Sequence, residues 1–396
     1  MLKNIIINNL SQGLQFGSRW VLNIVLLKNM SISEFGLFSF LYSISNILSS
    51  VLPFGSSIYI FKENNDKGNE SLIIDSFIVI FLSFISTIFI LLILFLLEVK
   101  IKGFNYIIYP ILLGLFLSLN IILSSYLKSM NQFIKELKIY FIFSILLFCF
   151  IVYVFMQKKV SISQVFQVLI IINFISMIFF IKITSLRFKV FNFKQSILNV
   201  KVLFKDRLYY GLQEIQTAIS GQSSMIILFY LLTVELYGTY RSLFILIMPL
   251  SLISYSMTQV FINYLKKDLD NIKSRFRKIL LFSIIVTFLI TLFFILFKDF
   301  LLDLIRLNNN YEELYYTLLF GTVLKILMTS YISLLVVLDM QKVRFYANLT
   351  GASFLLIALF TYVNQTDLYN AILIYSLSIL IILFIKIIYG EKALYK

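Results

Sequence analysis

The chain alternates long apolar stretches with short polar segments along its whole length. The apolar stretches are about 20 residues long, the length that a helix needs to cross the hydrocarbon core of a bilayer. The first and seventh stretches are the least hydropathic because polar residues interrupt them. This pattern predicts twelve transmembrane helices, at 5–27, 34–60, 73–97, 103–127, 137–156, 164–181, 208–232, 236–264, 279–297, 314–338, 345–363 and 368–389.

Composition supports a membrane protein and excludes several chemistries. Hydrophobic residues make up 60% of the chain and charged residues 13%, whereas soluble domains are about 45–50% apolar and about 25% charged. The absence of histidine excludes His-based acid–base catalysis and His metal sites. The single cysteine, Cys149, cannot form an intrachain disulfide. Because P-loop and GxGxxG motifs are also missing, we expect no enzyme activity, no metal and no organic cofactor.

The formal net charge of +15 is explained by membrane topology. If the N-terminus is cytoplasmic, 24 basic residues fall in the cytoplasmic segments and 7 in the outside segments. Arg207 and Lys386 are counted among the 24. The excess of basic residues in cytoplasmic loops of membrane proteins therefore predicts that both termini are cytoplasmic. Nucleic acid is not an expected partner.

A short internal repeat suggests that the twelve helices form two equivalent halves. Residues 34–38 (EFGLF) resemble residues 235–240 (ELYGTY), and Gly36 and Gly238 are 202 positions apart. Six predicted spans separate them. Because six is an even number, the halves would have the same orientation, related by a pseudo-two-fold axis along the membrane normal.

The longest predicted connection lies at the midpoint of the chain and is rich in lysine and arginine. We therefore expect an all-α membrane protein made of two parallel-repeat six-helix bundles around a central cavity. The predicted domains are an N-terminal bundle at 1–190, a basic cytoplasmic linker at 191–207 and a C-terminal bundle at 208–396.

Five polar residues lie on one face of the first predicted helix. Their spacing of three or four positions places them within about 80° of each other at 100° per residue. A polar stripe that faces lipid would be costly, so this face should contact protein or a water-filled cavity. The functional interpretation is a substrate cavity, and the alternative is hydrogen bonding between packed helices. The stripe consists of Asn8, Gln12, Gln15, Arg19 and Asn23.

The second half supplies further candidates for the cavity. Gln213, Glu214 and Thr217 lie on the equivalent seventh helix. Lys325, in the middle of the tenth, either faces cargo or pairs with a buried carboxylate such as Glu214. Arg241 is one turn from the end of the eighth helix, where a long side chain can also reach the membrane surface.

Other intramembrane residues have two interpretations. If transport is coupled to H⁺ or Na⁺, the candidate carboxylates are Glu214 and Asp75. A carboxylate at a helix N-terminus, the predicted position of Asp75, is also stabilised without any function. Single asparagines such as Asn46, Asn120 and Asn173 need only interhelical hydrogen bonds. Pro53 and Pro249 fall in equivalent helices and predict kinks there.

The opening of the chain resembles the polysaccharide-transporter family of the multidrug/oligosaccharidyl-lipid/polysaccharide (MOP) superfamily. Arg19, Lys28 and the Phe35-Gly36 turn occupy positions where typical members show a first-helix arginine, a basic residue and a Phe-Gly turn. The second half's opening, Gln213 to Gln222 and then residues 237–240, is also similar to the family. Lys28 stands where arginine is commoner. Twelve spans in two halves are similar to the family's architecture.

The resemblance implies a flippase of the bacterial cytoplasmic (inner) membrane. Its cargo would be an O-antigen or capsule repeat unit linked by pyrophosphate to undecaprenol, moved from the cytoplasmic to the outer leaflet. Expected partners are this lipid-linked oligosaccharide, membrane lipids, and the polysaccharide polymerase and chain-length machinery. The main alternative is a multidrug exporter of the same superfamily. A membrane polysaccharide polymerase is a weaker alternative, because no large outside loop is predicted.

Overall fold

The structure is a computed structural model in which helices account for nearly all of the described chain. No β-strand occurs among the described residues, which are 2–63, 70–97, 103–130, 132–157, 160–184, 200–266, 268–305, 307, 309–338 and 340–395.

The helices follow the predicted apolar stretches closely. Two short 3₁₀ turns, Phe104–Tyr106 and Asn309–Tyr311, precede long helices. The α-helices are α1 (Leu2–Asn29), α2 (Ile32–Val51), α3 (Ser56–Glu63), α4 (Glu70–Leu96), α5 (Ile108–Ser129), α6 (Phe133–Gln157), α7 (Ile162–Thr184), α8 (Val200–Leu231), α9 (Val234–Lys266), α10 (Ile272–Leu296), α11 (Lys298–Leu304), α12 (Glu312–Val337), α13 (Gln341–Tyr362) and α14 (Leu368–Leu394).

Nine helical stretches within the described chain are long and apolar enough to cross a membrane, and one of them joins α2 to α3 over Ile32–Ile60. The remaining predicted spans correspond to α1, α8 and α9. Helices α1 and α8 carry the polar residues that make the first and seventh apolar stretches the least hydropathic. The predicted all-α fold with a twelve-helix, two-repeat layout is confirmed, and the chain is a multi-pass membrane protein.

The chain separates into two compact units. Unit 1 contains Met1–Met30 and Leu37–Ile226, and unit 2 contains Ser31–Gly36 and Ile227–Lys396. Most of α8 therefore belongs to unit 1. The predicted domain bounds at 190 and 208 stay a prediction, and most of the predicted linker lies outside the described residues.

Equivalent helices pack in equivalent pairs inside each unit. In unit 1, α5 lies against α3, α4 and α7. A buried apolar cluster that includes Ile60, Ile73 and Ile122 packs between α5, α3 and α4. In unit 2, α12 lies against α9, α10 and α14 in the same way. The pair of α1 and α6 has no counterpart among the described contacts. Here α1 packs closely along α6, and Ser144 of α6 donates a hydrogen bond to the Leu14 backbone carbonyl of α1.

The two prolines in equivalent helices have different effects. Pro249 lies inside the continuous helix α9. Pro53 lies in the turn between α2 and α3, where Phe54 and Gly55 adopt left-handed backbone angles, with φ of 46° and 76°. A left-handed conformation is strained for a non-glycine residue such as Phe54 and persists where the surroundings hold it. The kink predicted at Pro53 is therefore a complete interruption of the helix.

The repeated glycines meet each other within unit 2. A Cβ on Gly36 would lie 3.1 Å from the Cα of Gly238, and a Cβ on Gly238 would lie 2.1 Å from the carbonyl oxygen of Ile32. Only glycine allows the first turns of α2 and α9 to approach this closely. The sequence repeat therefore marks a helix crossing that has no room for side chains.

Two basic residues counted as cytoplasmic loop charges are in fact buried in helices. Arg207 has no exposed surface, and its guanidinium lies 4.3 Å from the centre of the Tyr59 ring. Lys386 is 2% exposed inside α14. Arg207 lies in α8 because this helix starts at Val200, before the predicted span, whereas Lys386 lies inside the predicted span 368–389. Their assignment to the cytoplasmic side stays a prediction. Cys149 is exposed on the outer surface of α6.

Candidate functional site

Unit 1 contains an open cavity of about 600 Å³ that is lined mostly by polar residues. All of its lining residues belong to this one unit. They come from α1, α2, α3, α5, α8 and the turn between α2 and α3, and they are Gln15, Phe16, Arg19, Asn46, Ser49, Ser50, Pro53, Ser57, Ile58, Ile121, Glu214, Ala218 and Gln222.

The wall formed by α1 supplies the positive charge of the cavity. Gln15 and Arg19 lie one helical turn apart, so their side chains occupy the same face. The guanidinium of Arg19 lies 5.4 Å from the centre of the Phe143 ring on α6, a distance at which the ring attracts a cation. No carboxylate among the described residues lies within 4 Å of this guanidinium. Arg19 therefore presents a cation to the cavity, with no carboxylate of the described chain beside it.

The opposite wall carries a carboxylate that is already engaged. Gly55 donates its backbone N–H to Glu214 at 2.8 Å, and the Ser57 hydroxyl donates to the other carboxylate oxygen. Gly55 can reach Glu214 because it lies directly against α8, where a Cβ on Gly55 would be 2.5 Å from the Gly211 nitrogen. Because the helix is interrupted at Pro53, some backbone N–H groups lack a partner within the helix, and Glu214 accepts a hydrogen bond from one of them, that of Gly55.

Sequence analysis missed the polar lining from α2 and α3. Asn46, Ser49, Ser50 and Ser57 all face the cavity. Ser49 and Ser50 donate to the Asn46 carbonyl at 2.8 and 3.3 Å, which leaves hydroxyl lone pairs as acceptors. The spacing of these residues and Pro53 at three or four positions was a usable signal, because it forms a second polar stripe like that of α1.

A smaller polar chamber of about 60 Å³ shares Gln15, Arg19, Asn46, Ser49 and Ile121 with the main cavity. Its deeper wall is made by α5, α6 and α7, and includes Asn120, Tyr140, Asn173 and Ser176.

In this deeper wall, Asn120 donates to the backbone carbonyl of Asn173 at 3.0 Å, so the interhelical hydrogen bond proposed for these two asparagines is present. The Oδ1 atom of Asn120 is buried and has no hydrogen-bond partner among the described atoms. Asn46, by contrast, lines both spaces.

Three further predicted residues of unit 1 have described side chains, and none of the three lines either space. Gln12 and Asn23 are half-buried on α1. Asp75 is half-buried on α4, close enough to Arg207 to interact with it electrostatically. The side chains of Asn8, Gln213 and Thr217 lie outside the described residues.

Lys325 and Arg241 belong to unit 2. The Lys325 ammonium donates to the Tyr375 hydroxyl at 2.6 Å, and Arg241 lies 5.7 Å from the centre of the Phe244 ring. Lys325 and Glu214 thus each have a partner inside their own unit.

The cavity is suited to binding a hydroxyl-rich, negatively charged group. Arg19 supplies attraction, and the amides and hydroxyls around it supply hydrogen-bond donors and acceptors. No group of three or more His, Cys, Asp or Glu residues that could hold a metal ion occurs in the described part of the chain. The arrangement favours binding over covalent chemistry.

No protein-family model matches the sequence, and no curated protein matches it. Solved structures do resemble it. One is described as the inward-facing conformation of a multidrug resistance MATE family transporter of the MOP superfamily; it is 13% identical, with a TM-score of 0.67 over 96% of this chain and 94% of that one. The outward-facing conformation of such a transporter gives a TM-score of 0.67 at 13% identity, over 99% and 94%.

A crystal structure of MATE in complex with MaD3S gives a TM-score of 0.65 at 13% identity, over 99% of this chain and 95% of that one. These similarities show that the chain has the fold of MATE transporters of the MOP superfamily. The similarity spans the whole fold.

Proposed function

We propose that the protein is a transporter of the MOP superfamily that moves lipid-linked oligosaccharides across the bacterial inner membrane. The cargo is an O-antigen or capsule repeat unit carried on undecaprenyl pyrophosphate. It crosses from the cytoplasmic to the outer leaflet by alternating access, with both termini of the protein in the cytoplasm. There it becomes available to a polysaccharide polymerase and its chain-length machinery.

The observation that supports this proposal is Arg19, a cation that lines the cavity and has no carboxylate of the described residues within 4 Å. A pyrophosphate is doubly anionic and forms charge-assisted hydrogen bonds with a guanidinium. Gln15, Asn46 and Ser49 surround Arg19 with groups that can bind sugar hydroxyls. Ligand cavities of about 300–1,000 Å³ accept molecules of a few rings, so 600 Å³ suits a pyrophosphate with its first sugars while the lipid tail stays in the bilayer.

The second candidate function is export of small amphiphiles, which the names of the similar MATE structures favour. Such cargo is often cationic and would need an available carboxylate in the cavity. Glu214 is the carboxylate in the described lining, and both of its oxygens accept hydrogen bonds from Gly55 and Ser57. The engagement of Glu214, and not the net charge of the lining, therefore favours the anionic cargo.

The test is transport by purified protein in liposomes. The wild type should move a pyrophosphate-linked oligosaccharide lipid between leaflets, and Arg19→Ala should reduce the rate at least tenfold while Arg19→Lys keeps a measurable part of it. A matched control is Arg277→Gln, which removes a basic residue that is half-exposed and paired with Glu391 on unit 2. Efflux of cationic dyes that is unaffected by Arg19→Ala, with no movement of the oligosaccharide lipid, would support the exporter instead.

A further inference from the structure

The small polar chamber of unit 1 adjoins the main cavity at a shared wall. Gln15, Arg19 and Asn46 are among the residues that line both spaces, so a group bound at Arg19 in the main cavity lies next to the chamber. The chamber has a volume of about 60 Å³, which about two water molecules take up in the liquid. It is therefore large enough for a substituent of about two non-hydrogen atoms but too small for a sugar ring or a phosphate.

The polar groups of the deeper wall leave acceptors for a ligand. Asn120 donates its amide to the backbone carbonyl of Asn173 at 3.0 Å and to its Oδ1 atom at 3.4 Å. Asn173 donates to the Leu169 carbonyl at 2.8 Å, and Ser176 donates to the Ile172 carbonyl at 2.9 Å. Each of these donor groups thus already bonds to the protein, whereas the Ser176 oxygen keeps its acceptor lone pairs. A group that enters the chamber should therefore bring a donor.

The rest of the lining selects among groups that carry a donor. Leu117, Phe143 and Phe180 give the chamber apolar surface, which suits a carbon atom. An ammonium group is disfavoured because Arg19, in the shared wall, has the same charge. An anion would face the acceptors of the deeper wall and would find its donors at Arg19 instead. A neutral hydroxyl on a single carbon meets all of these conditions.

We propose that the chamber is a specificity site for the hydroxymethyl group of a hexose in the cargo. This inference rests on the proposed function, in which the pyrophosphate binds at Arg19 and the first sugar lies beside it. The carbon of the group packs on Leu117 and Phe180, its hydroxyl donates to Ser176, and its oxygen accepts from the Gln15 amide in the shared wall. A 6-deoxy sugar cannot make these hydrogen bonds, and it leaves the polar groups of the chamber without that partner.

The test uses purified full-length protein in liposomes and three polyprenyl-pyrophosphate lipids, which carry glucose, 6-deoxyglucose or 6-deoxy-6-fluoroglucose. Fluorine is close to a hydroxyl in size but donates no hydrogen bond, so the third lipid isolates the donor. Periodate added outside the liposomes cleaves the neighbouring hydroxyls that all three sugars keep, and it therefore measures the fraction of lipid that faces outward. The wild type should move the glucose lipid at least about fivefold faster than either of the others.

Ser176→Ala removes the acceptor and should bring the glucose rate to within about twofold of the 6-deoxyglucose rate. Ser176→Thr keeps a hydroxyl and should keep the preference for glucose. Ser118→Ala is the matched control. Ser118 is also a buried serine that donates to its own helix, to the Leu115 carbonyl at 2.7 Å, but it lines neither space. This control should show the wild-type preference.

Three results would overturn the proposal. The first is equal movement of the three lipids by the wild type, and the second is a preference for glucose that Ser176→Ala leaves undiminished. The third is a loss in Ser176→Ala that is the same for all three sugars, because it would give the serine a structural role only. A wild type that moves none of the three lipids would refute the proposed function itself, and this inference with it.

Discussion

Replacing Glu214 with alanine removes an acceptor from two donors in the wall of the cavity, the Gly55 N–H and the Ser57 hydroxyl. Hydrogen bonds to a charged group stabilise a fold by about 1.5–3 kcal/mol each, and an unsatisfied buried donor costs about 1–3 kcal/mol. Glu214 is half-buried beside the cavity, where water can replace part of what is lost. We therefore expect Glu214→Ala to lower the free energy of unfolding by about 2–4 kcal/mol.

Glu214→Gln keeps an oxygen for the Gly55 N–H and a polar group for Ser57, so its loss should be only about 1 kcal/mol. Equilibrium unfolding in mixed detergent micelles, followed by circular dichroism, measures both values. Glu235→Gln is the control, because Glu235 is exposed at the start of α9 and exposed substitutions usually change stability by less than about 0.5 kcal/mol. A loss below that limit for Glu214→Ala would refute a structural role for the carboxylate.

Glu214→Gln also distinguishes a structural from an ion-coupling role of the carboxylate. If Glu214 only holds the turn between α2 and α3, Glu214→Gln should transport cargo with an unchanged dependence on the pH gradient or Na⁺ gradient. If the carboxylate carries the coupling ion, Glu214→Gln should fold normally but lose its response to the gradient. Transport by proteoliposomes with and without an imposed gradient measures this difference.

Two further predictions follow from packing and from charge. Gly238→Ala would place a Cβ 2.1 Å from the Ile32 carbonyl oxygen and should destabilise the fold by about 1–3 kcal/mol. A Cβ on Gly17 would have nothing within 4 Å, so Gly17→Ala should stabilise the fold by about 1 kcal/mol. The same unfolding assay measures both variants, and equal effects would contradict the packing. The hydrogen bond that Lys298 donates to Glu312 holds the pKa of Lys298 above its usual range. Glu312→Gln should therefore speed acylation of Lys298 near pH 10, as measured by peptide mass spectrometry, and an unchanged rate would argue against the pair.

The helices and the repeat could be predicted because the bilayer imposes a local rule. Each span must be apolar over about 20 residues whatever its neighbours are, so eleven of the predicted spans correspond to continuous helices. The span at 34–60 is different. Hydropathy continues across Pro53, whereas the left-handed angles of Phe54 and Gly55 depend on contact with α8, a helix that lies about 160 positions away in the sequence.

Three of the predicted residues line the cavity of unit 1, and they are polar residues whose burial in a span is costly; that they bind substrate stays a prediction. Gln15, Arg19 and Glu214 were identified because charges and amides in a span demand a partner or water, and all three line the cavity. Ser49 and Ser57 were missed because a serine can satisfy itself by bonding to its own helix, so its presence in a span carries little information. Their role becomes visible only when α2 and α3 are placed opposite α1.

The exposed position of Cys149 has a practical consequence for following transport. It is the single cysteine of the chain and lies on the outer surface of α6 in the middle of a membrane-spanning stretch. Water-soluble, membrane-impermeant thiol reagents do not enter the hydrocarbon around it. A cysteine introduced at Ser50 or Gln222 would instead face the water of the cavity. The natural sequence is therefore a ready background for accessibility scanning, in which each new thiol reports whether its part of the pathway is open to one side of the membrane or to the other.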